Sequence, residues 1–310
     1  LQFISRYSAQ LLATCVLIGF LFPNFSNSLL PALPAVLFFL MVCVVLSLKL
    51  NTLVRDLARW QTWNYALWHS LGCTILALSS VWLFGVEPSI YLAIAAACAT
   101  GSLFASPAIV RSLGFDAQRC MAMTIASTLT MPAVLLVNAA LFDVRQGEAS
   151  LQLDMGLYLQ RLVIFIVLPM LISLLSQRFV SQQLLTKALT KLQPITMLLV
   201  FFFPLGLMGA FRQTFDQSPQ DAGHYLLVAS WVCLTIFTAS YWLYRRGGKA
   251  LAMTAAITAT NRNVLLTYSI TGAFLGVEYL IYMGALQLPI YLLPLIVRGM
   301  NRILERRAAS

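Results

Sequence analysis

Ten apolar stretches follow one another along this chain, joined by short polar linkers. They fall at about 8–22, 31–50, 62–86, 89–112, 117–142, 155–177, 190–211, 222–244, 250–273 and 279–300. A helix needs about 20 mostly apolar residues to cross the hydrocarbon core of a bilayer, and these stretches have that length. The composition agrees: 60% of the 310 residues are hydrophobic, 10% are charged, and mean hydropathy is +0.84. A soluble domain carries about 25% charged residues, so the chain reads as an integral membrane protein with no appended soluble domain.

Loop charge tests the span count independently. With ten spans, all of the 20 basic residues except Arg145, Arg161, Arg212 and Arg262 fall on one side. Most acids (Glu87, Asp143, Glu148, Asp154, Asp216, Asp221, Glu278) fall on the other. Lys and Arg accumulate in cytoplasmic loops, so ten helices with both termini cytoplasmic are expected, most naturally in a bacterial inner membrane. The net charge of +10 then reflects membrane orientation rather than nucleic-acid binding. Arg6 before an apolar stretch could open a cleaved signal peptide, but no A-x-A site follows and Pro23-Asn24-Phe25 opens a loop. The Asn24-Phe-Ser26 sequon lies against the membrane and carries no weight.

Six single cysteines (Cys15, Cys43, Cys73, Cys98, Cys120, Cys233) sit inside apolar stretches without a CxxC, and the only histidines are His69 and His224. The cysteines read as small buried apolar residues, and no metal site or cofactor is expected. An enzyme is not expected either. No Asp or Glu lies deep in a span, and neither HExxH nor GxSxG occurs.

The chain divides near 143–154 into two five-span halves. Five is odd, so the second half must lie inverted relative to the first. Inverted repeats are a recurring transporter architecture, with the site at the midplane between discontinuous helices. The fourth span of each half is irregular here: Ala99-Thr-Gly-Ser-Leu-Phe-Ala-Ser-Pro107 and Ala256-Ile-Thr-Ala-Thr-Asn-Arg-Asn263. Breaks are expected near Ser106-Pro107 and Thr260–Asn263. Close packing of small residues would account for Gly101, Ser102 and Ala105, but not for Asn-Arg-Asn. Arg262 lies in an otherwise charge-free stretch, Leu251 to Leu275. A guanidinium at a span centre costs about 2.5–3.5 kcal/mol on insertion scales. The substrate or central site is therefore expected at Thr260, Asn261, Arg262 and Asn263, with Ser106 and Pro107. Other prolines (Pro132, Pro169, Pro204, Pro289, Pro294) are expected to mark kinks.

Over essentially its whole length the sequence resembles the bile acid:sodium symporter superfamily. The resemblance rests on Gly19-Phe-Leu-Phe-Pro23, the texture of Leu33 to Met41, Phe104-Ala-Ser-Pro-Ala-Ile-Val110 and Met123-Thr-Ile-Ala-Ser-Thr-Leu-Thr-Met-Pro132. Asn263 and Gln287-Leu-Pro-Ile-Tyr-Leu-Leu-Pro294 also fit. It implies an all-α membrane protein of ten transmembrane helices in two inverted five-helix repeats, 1–142 and 155–310. Core helices (about 62–142 and 222–300) would carry the crossing broken helices 4 and 9, beside panel helices (about 8–50 and 155–211). An organic anion would bind between core and panel.

The family's two sodium sites carry over incompletely. A Ser-Asn pair corresponds to Ser106-Pro107, and a Ser and Thr of helix five to Cys120 and Thr124. The shared glutamate corresponds to Thr258, a glutamine to Arg262, and another to a position at or near His69. Lost oxygens and a fixed positive charge at Arg262 disfavour a cation, so bound sodium is not expected and Arg262 would replace it.

The function expected is secondary transport of a small organic anion by alternating access, independent of sodium. Two alternatives stay open: sodium coupling through a rearranged site, and a non-transporting sensor or scaffold on the same fold. Arg262 would stabilise the crossing or meet the substrate carboxylate. His69 would carry a coupled proton, or simply bond a neighbouring backbone carbonyl.

Overall fold

The computed structural model describes residues 7–48, 50–82, 85–86, 88–146, 155–271 and 275–309. Arg6, Lys49, Glu87, Gly147, Glu148 and Asp154 lie outside the described residues. The described chain is helical, and its one piece of β-pairing is an isolated bridge.

The first helices are α1 (Ser8–Leu21), α2 (Pro23–Leu29) and α3 (Leu33–Leu46), with a 3-10 turn, Leu30–Ala32, between the last two. Pro23-Asn24, expected to open a loop, instead starts α2. Pro23 stands in the first turn, where its missing N–H would have had no helical partner. After α4 (Leu50–Leu57) come α5 (Trp60–Leu67) and α6 (Cys73–Trp82), fused through a π-turn at Trp68–Gly72. Next are α7 (Pro88–Ala99), α8 (Ser106–Ser112) and α9 (Ala117–Gln146). A second π-turn, Val163–Val167, joins α10 (Met155–Leu162) to α11 (Leu168–Phe179). The rest comprises α12 (Gln182–Gln217), α13 (Pro219–Tyr244), α14 (Lys249–Thr260), α15 (Val264–Thr271) and α16 (Gly276–Ala309).

Among the described residues, five helices are long and apolar enough to cross a membrane: Pro23–Leu46, Leu159–Phe179, Gln183–Gln217, Pro219–Gly247 and Glu278–Gly299. The chain is an all-α, membrane-embedded protein. Its outer surface carries the apolar side chains that lipid requires; Leu17, Phe39, Ile75, Leu227 and Leu234 are each more than half exposed.

Two packed groups flank the breaks. Helix α12 lies against α1, α2 and α3, and α11 against α3. Helix α9 packs on α4, α5, α7, α8 and α14, while α13 packs on α6, α14 and α16. Helix α16 touches both groups, through α12 and α1 on one side and α7 and α13 on the other. Small residues set the closest approaches: a Cβ at Gly19 would stand 2.8 Å from the carbonyl oxygens of Pro204 and Leu205. Ser26 of the sequon has a packing role, because its buried hydroxyl accepts the Gly209 N–H at 2.9 Å.

Candidate functional site

Helix α7 stops at Ala99 and α8 begins at Ser106; α14 stops at Thr260 and α15 begins at Val264. The first gap lies upstream of Ser106-Pro107. That dipeptide is the first turn of α8, where proline removes no helical hydrogen bond, so Pro107 begins a helix instead of breaking one. Residues 261–263 form the second gap, with Asn261 extended at φ −77° and ψ 105°.

The two gaps meet. Ser102 and Arg262 form an antiparallel bridge, in which the Leu103 N–H donates to the Asn261 carbonyl and the Asn263 N–H to the Gly101 carbonyl, both at 2.9 Å. Unpaired backbone in a dry core costs about 1–3 kcal/mol per group, and here each broken strand supplies the other's partners. The Ser102 N–H donates to Ser127 Oγ of α9 at 3.0 Å. Gly101 lets the strand lie against α9, since a Cβ there would fall 2.6 Å from the Thr128 Cα and 2.8 Å from its N.

The side chains of the bridge pair cap the opposing helices. Arg262 Nη1 donates to the carbonyl of Cys98, in the last turn of α7, at 2.7 Å. Ser102 Oγ donates to the carbonyl of Thr258, in the last turn of α14, at 2.9 Å, and stands 3.1 Å from Ser106 Oγ. Carbonyls of a last helical turn lack intrahelical donors and carry the negative end of the helix dipole. A guanidinium is a fitting partner for one of them.

Arg262 also donates through Nη1 to the His69 carbonyl at 2.7 Å. The π-turn prepares this acceptor. The Cys73 N–H, which an α-helix would direct at His69, goes to the Trp68 and Ser70 carbonyls instead. The His69 ring is fully buried, with Nε2 3.0 Å from the Thr100 carbonyl and Nδ1 3.3 Å from the Tyr65 hydroxyl. A carbonyl can only accept, so Nε2 carries the proton.

Thr258, Cys120 and Thr124 lie where α14 packs on α9. Thr258 Oγ1 donates to the Thr254 carbonyl and stands 3.1 Å from Cys120 Sγ. Thr124 Oγ1 donates to the Cys120 carbonyl at 2.9 Å, and Thr260 Oγ1 to the Ala256 carbonyl at 2.8 Å. These threonine protons are committed within their own helices.

Thr260, Asn261, Arg262 and Asn263 are all at most 2% exposed. Successive side chains of extended backbone point to opposite faces, so Asn261 and Asn263 share the face opposite Arg262. Arg262 Nε and Nη2, both ends of the Asn261 amide, and Asn263 Nδ2 are buried without a hydrogen-bond partner. Asn263 Oδ1 accepts the Leu266 N–H at 3.4 Å. On the face that Asn261 and Asn263 share, the unpaired set is two donor nitrogens against one acceptor oxygen, which suits a ligand carboxylate or carbonyl.

Sequence reasoning assigned Ser102 to packing and gave Ser127, Tyr65 and the Cys98 carbonyl no role at the site. Ser102 and Ser127 carry a signal, as hydroxyls within apolar spans. A backbone carbonyl carries none.

No family model matches the chain, and no curated protein matches it significantly.

Proposed function

We propose that this protein is a secondary transporter of a small organic anion, working by alternating access and without sodium. The reading takes the ten apolar stretches as ten spans in two inverted halves, 1–142 and 155–310, with both termini cytoplasmic in a bacterial inner membrane. Spans 4 and 9 are then the crossing pair of a core domain, and the helices of 8–50 and 155–211 form the panel that the core moves against.

The observation that carries it is Arg262 Nη1 bonded at 2.7 Å to both the Cys98 and the His69 carbonyl inside the crossing. A cation that neutralises carbonyls freed by broken helices is what a bound ion supplies in discontinuous-helix transporters. Here a covalently attached cation stands in that role. Arg262 belongs to the crossing, while Asn261 and Asn263, on the other face, are the side chains offered to substrate. Their unpaired nitrogens would donate to a carboxylate once the core and panel part.

Thermal unfolding of the purified protein against a panel of mono- and dicarboxylates, in sodium and in choline medium, tests both halves of the proposal. At one hundred times its dissociation constant a ligand stabilises by about 2.7 kcal/mol. Stabilisation by one or more organic acids, equal in the two media, is expected. A panel without effect overturns the substrate class, and sodium-dependent stabilisation overturns the coupling.

A further inference from the structure

Away from the crossing, the basic face of the molecule carries a groove with two chemically different ends. Its upper end is a chamber of about 230 Å³, lined by Asp56, Arg59, Gln61, Asn64, Arg119 and Gly247 among others. Its lower end is an apolar channel of about 450 Å³ along Leu67, Trp68, Gly72, Leu243 and Tyr244. The two share Asn64, Leu243 and Tyr244 in their walls, so they adjoin.

One stripe of the α5 region builds this gradient. Gln61, Asn64, Trp68 and Gly72 recur at spacings of three and four, the repeat of a single helical face. The stripe runs from polar to apolar. Trp68 directs its only N–H at Ser240 Oγ, 2.9 Å away, which leaves its ring apolar toward the channel. Gly72 makes room for that ring, since a Cβ there would stand 2.5 Å from it.

The chamber's charge is positive. Asp56 pairs with Arg59 at 3.0 Å, whereas the Arg119 guanidinium has no ion pair among the described residues. Arg245, Arg246 and Lys249 flank Gly247 in the sequence. Helices α5 and α14 both begin at this end without a side-chain cap, so their positive dipole ends add to the field. Trp60 and Trp242, 73% and 62% exposed, are sequence neighbours of the lining residues Arg59, Gln61 and Leu243, and Arg245 stacks over Trp242 at 4.8 Å. Exposed tryptophans collect at the headgroup level of a bilayer.

We propose that this groove is a binding site for an anionic phospholipid. The phosphate lies in the chamber beside Arg119 and Arg59, and one acyl chain runs down the channel past Leu67, Trp68 and Gly72. A free phosphate would use the chamber alone and leave the apolar end unfilled. The proposal depends on the membrane reading of the chain but not on transport, because its test measures stability alone.

Full-length protein in phosphatidylcholine nanodiscs is titrated with phosphatidylglycerol, and the unfolding temperature is followed. A saturable rise is expected for the wild type. Arg119→Gln removes the lining cation that has no ion pair among the described residues. Gln61→Glu adds a charge that repels the headgroup, at an exposed first-turn position where a carboxylate favours the helix. That variant therefore unfolds no earlier than wild type in pure phosphatidylcholine, which separates lost binding from lost folding. Each substitution should raise the half-saturating lipid fraction about fivefold, the effect of one charge near an anionic membrane surface. Lys187→Gln with Lys191→Gln, on α12, should leave it unchanged. The proposal is overturned if the α12 pair shifts saturation as much as Arg119→Gln does. It is equally overturned if Gln61→Glu and Arg119→Gln saturate like wild type, or if glycerol phosphate without lipid reproduces the full rise.

Discussion

Ser102 and Arg262 cap each other's helices. They face one another across an antiparallel bridge, Arg262 bonding the Cys98 carbonyl at the end of α7 and Ser102 the Thr258 carbonyl at the end of α14. Neither broken helix closes its last turn alone. Each gap is stable only while the other is in place, so the crossing should form and fail as a unit. One arm of this exchange is neutral and the other cationic, and that asymmetry distinguishes the site from two helices that merely touch.

The neutral arm predicts the effect of Ser127→Ala. The buried Ser102 N–H would lose its acceptor, Ser127 Oγ at 3.0 Å. Stability should fall by about 1–3 kcal/mol. Ser112→Ala removes a hydroxyl that bonds the Ile109 carbonyl within its own helix, and should change unfolding by under about 0.5 kcal/mol. Chemical unfolding of the two variants side by side checks the difference.

Gly101 should tolerate no side chain. Gly101→Ala would drive a methyl group into the backbone of Thr128, separating the bridge from α9 at a cost of about 1–3 kcal/mol. Gly223→Ala, inside α13 with nothing within 4 Å of the added carbon, is the control. It should be neutral or stabilising by about 0.5–1 kcal/mol. Equal losses in the two variants would mean that the strand does not lie against α9 as described.

Much of this crossing is legible in the chain, because a charge or amide in an apolar stretch has no inexpensive reason to be there. Arg262, Asn261 and Asn263 announce the second gap in that way. The first gap is harder to see. Pro107 points to it but marks the start of the next helix, and the gap itself consists of residues that also suit tight packing. Arg262's acceptors could not be read at all. One is the end of α7, which exists only because the helix stops at Ala99, and the other is a carbonyl exposed by a π-turn. Backbone geometry of that kind depends on hydrogen-bond register, which residue types do not encode individually.

His69 offers a third test. Its Nε2–H is directed at the Thr100 carbonyl and its other nitrogen faces Tyr65, so the ring reads as a structural donor. His69→Gln keeps an amide donor and should cost less than His69→Leu, which leaves the carbonyl unpaired at about 1–3 kcal/mol. Any accumulation that a pH gradient drives should survive His69→Gln in vesicles. Its loss, with substrate exchange intact, would instead make His69 the carrier of a coupled proton.

The cationic arm yields the sharpest prediction. Arg262 brings a permanent positive charge to a site where Thr258, Cys120 and Thr124 supply no carboxylate, and the hydroxyl protons of both threonines are bonded within their own helices. A sodium ion entering beside it would meet like charge, worth about 1 kcal/mol at 4 Å even in water and several times that in a protein interior. Wild-type unfolding should therefore be the same in sodium, potassium and choline at equal ionic strength. Arg262→Ala should lose about 1–3 kcal/mol for each of the Cys98 and His69 carbonyls that it strands. Arg262→Lys should recover only part of that loss, because one ammonium lacks the planar fork. The double substitution Thr258→Glu with Arg262→Gln exchanges the fixed cation for a carboxylate and an amide, and should make stability respond to sodium. Sodium titration of all four proteins at constant ionic strength decides the matter. A saturable, sodium-specific stabilisation of the unmodified chain would show that an ion site coexists with Arg262, and the guanidinium would then be no substitute for the ion.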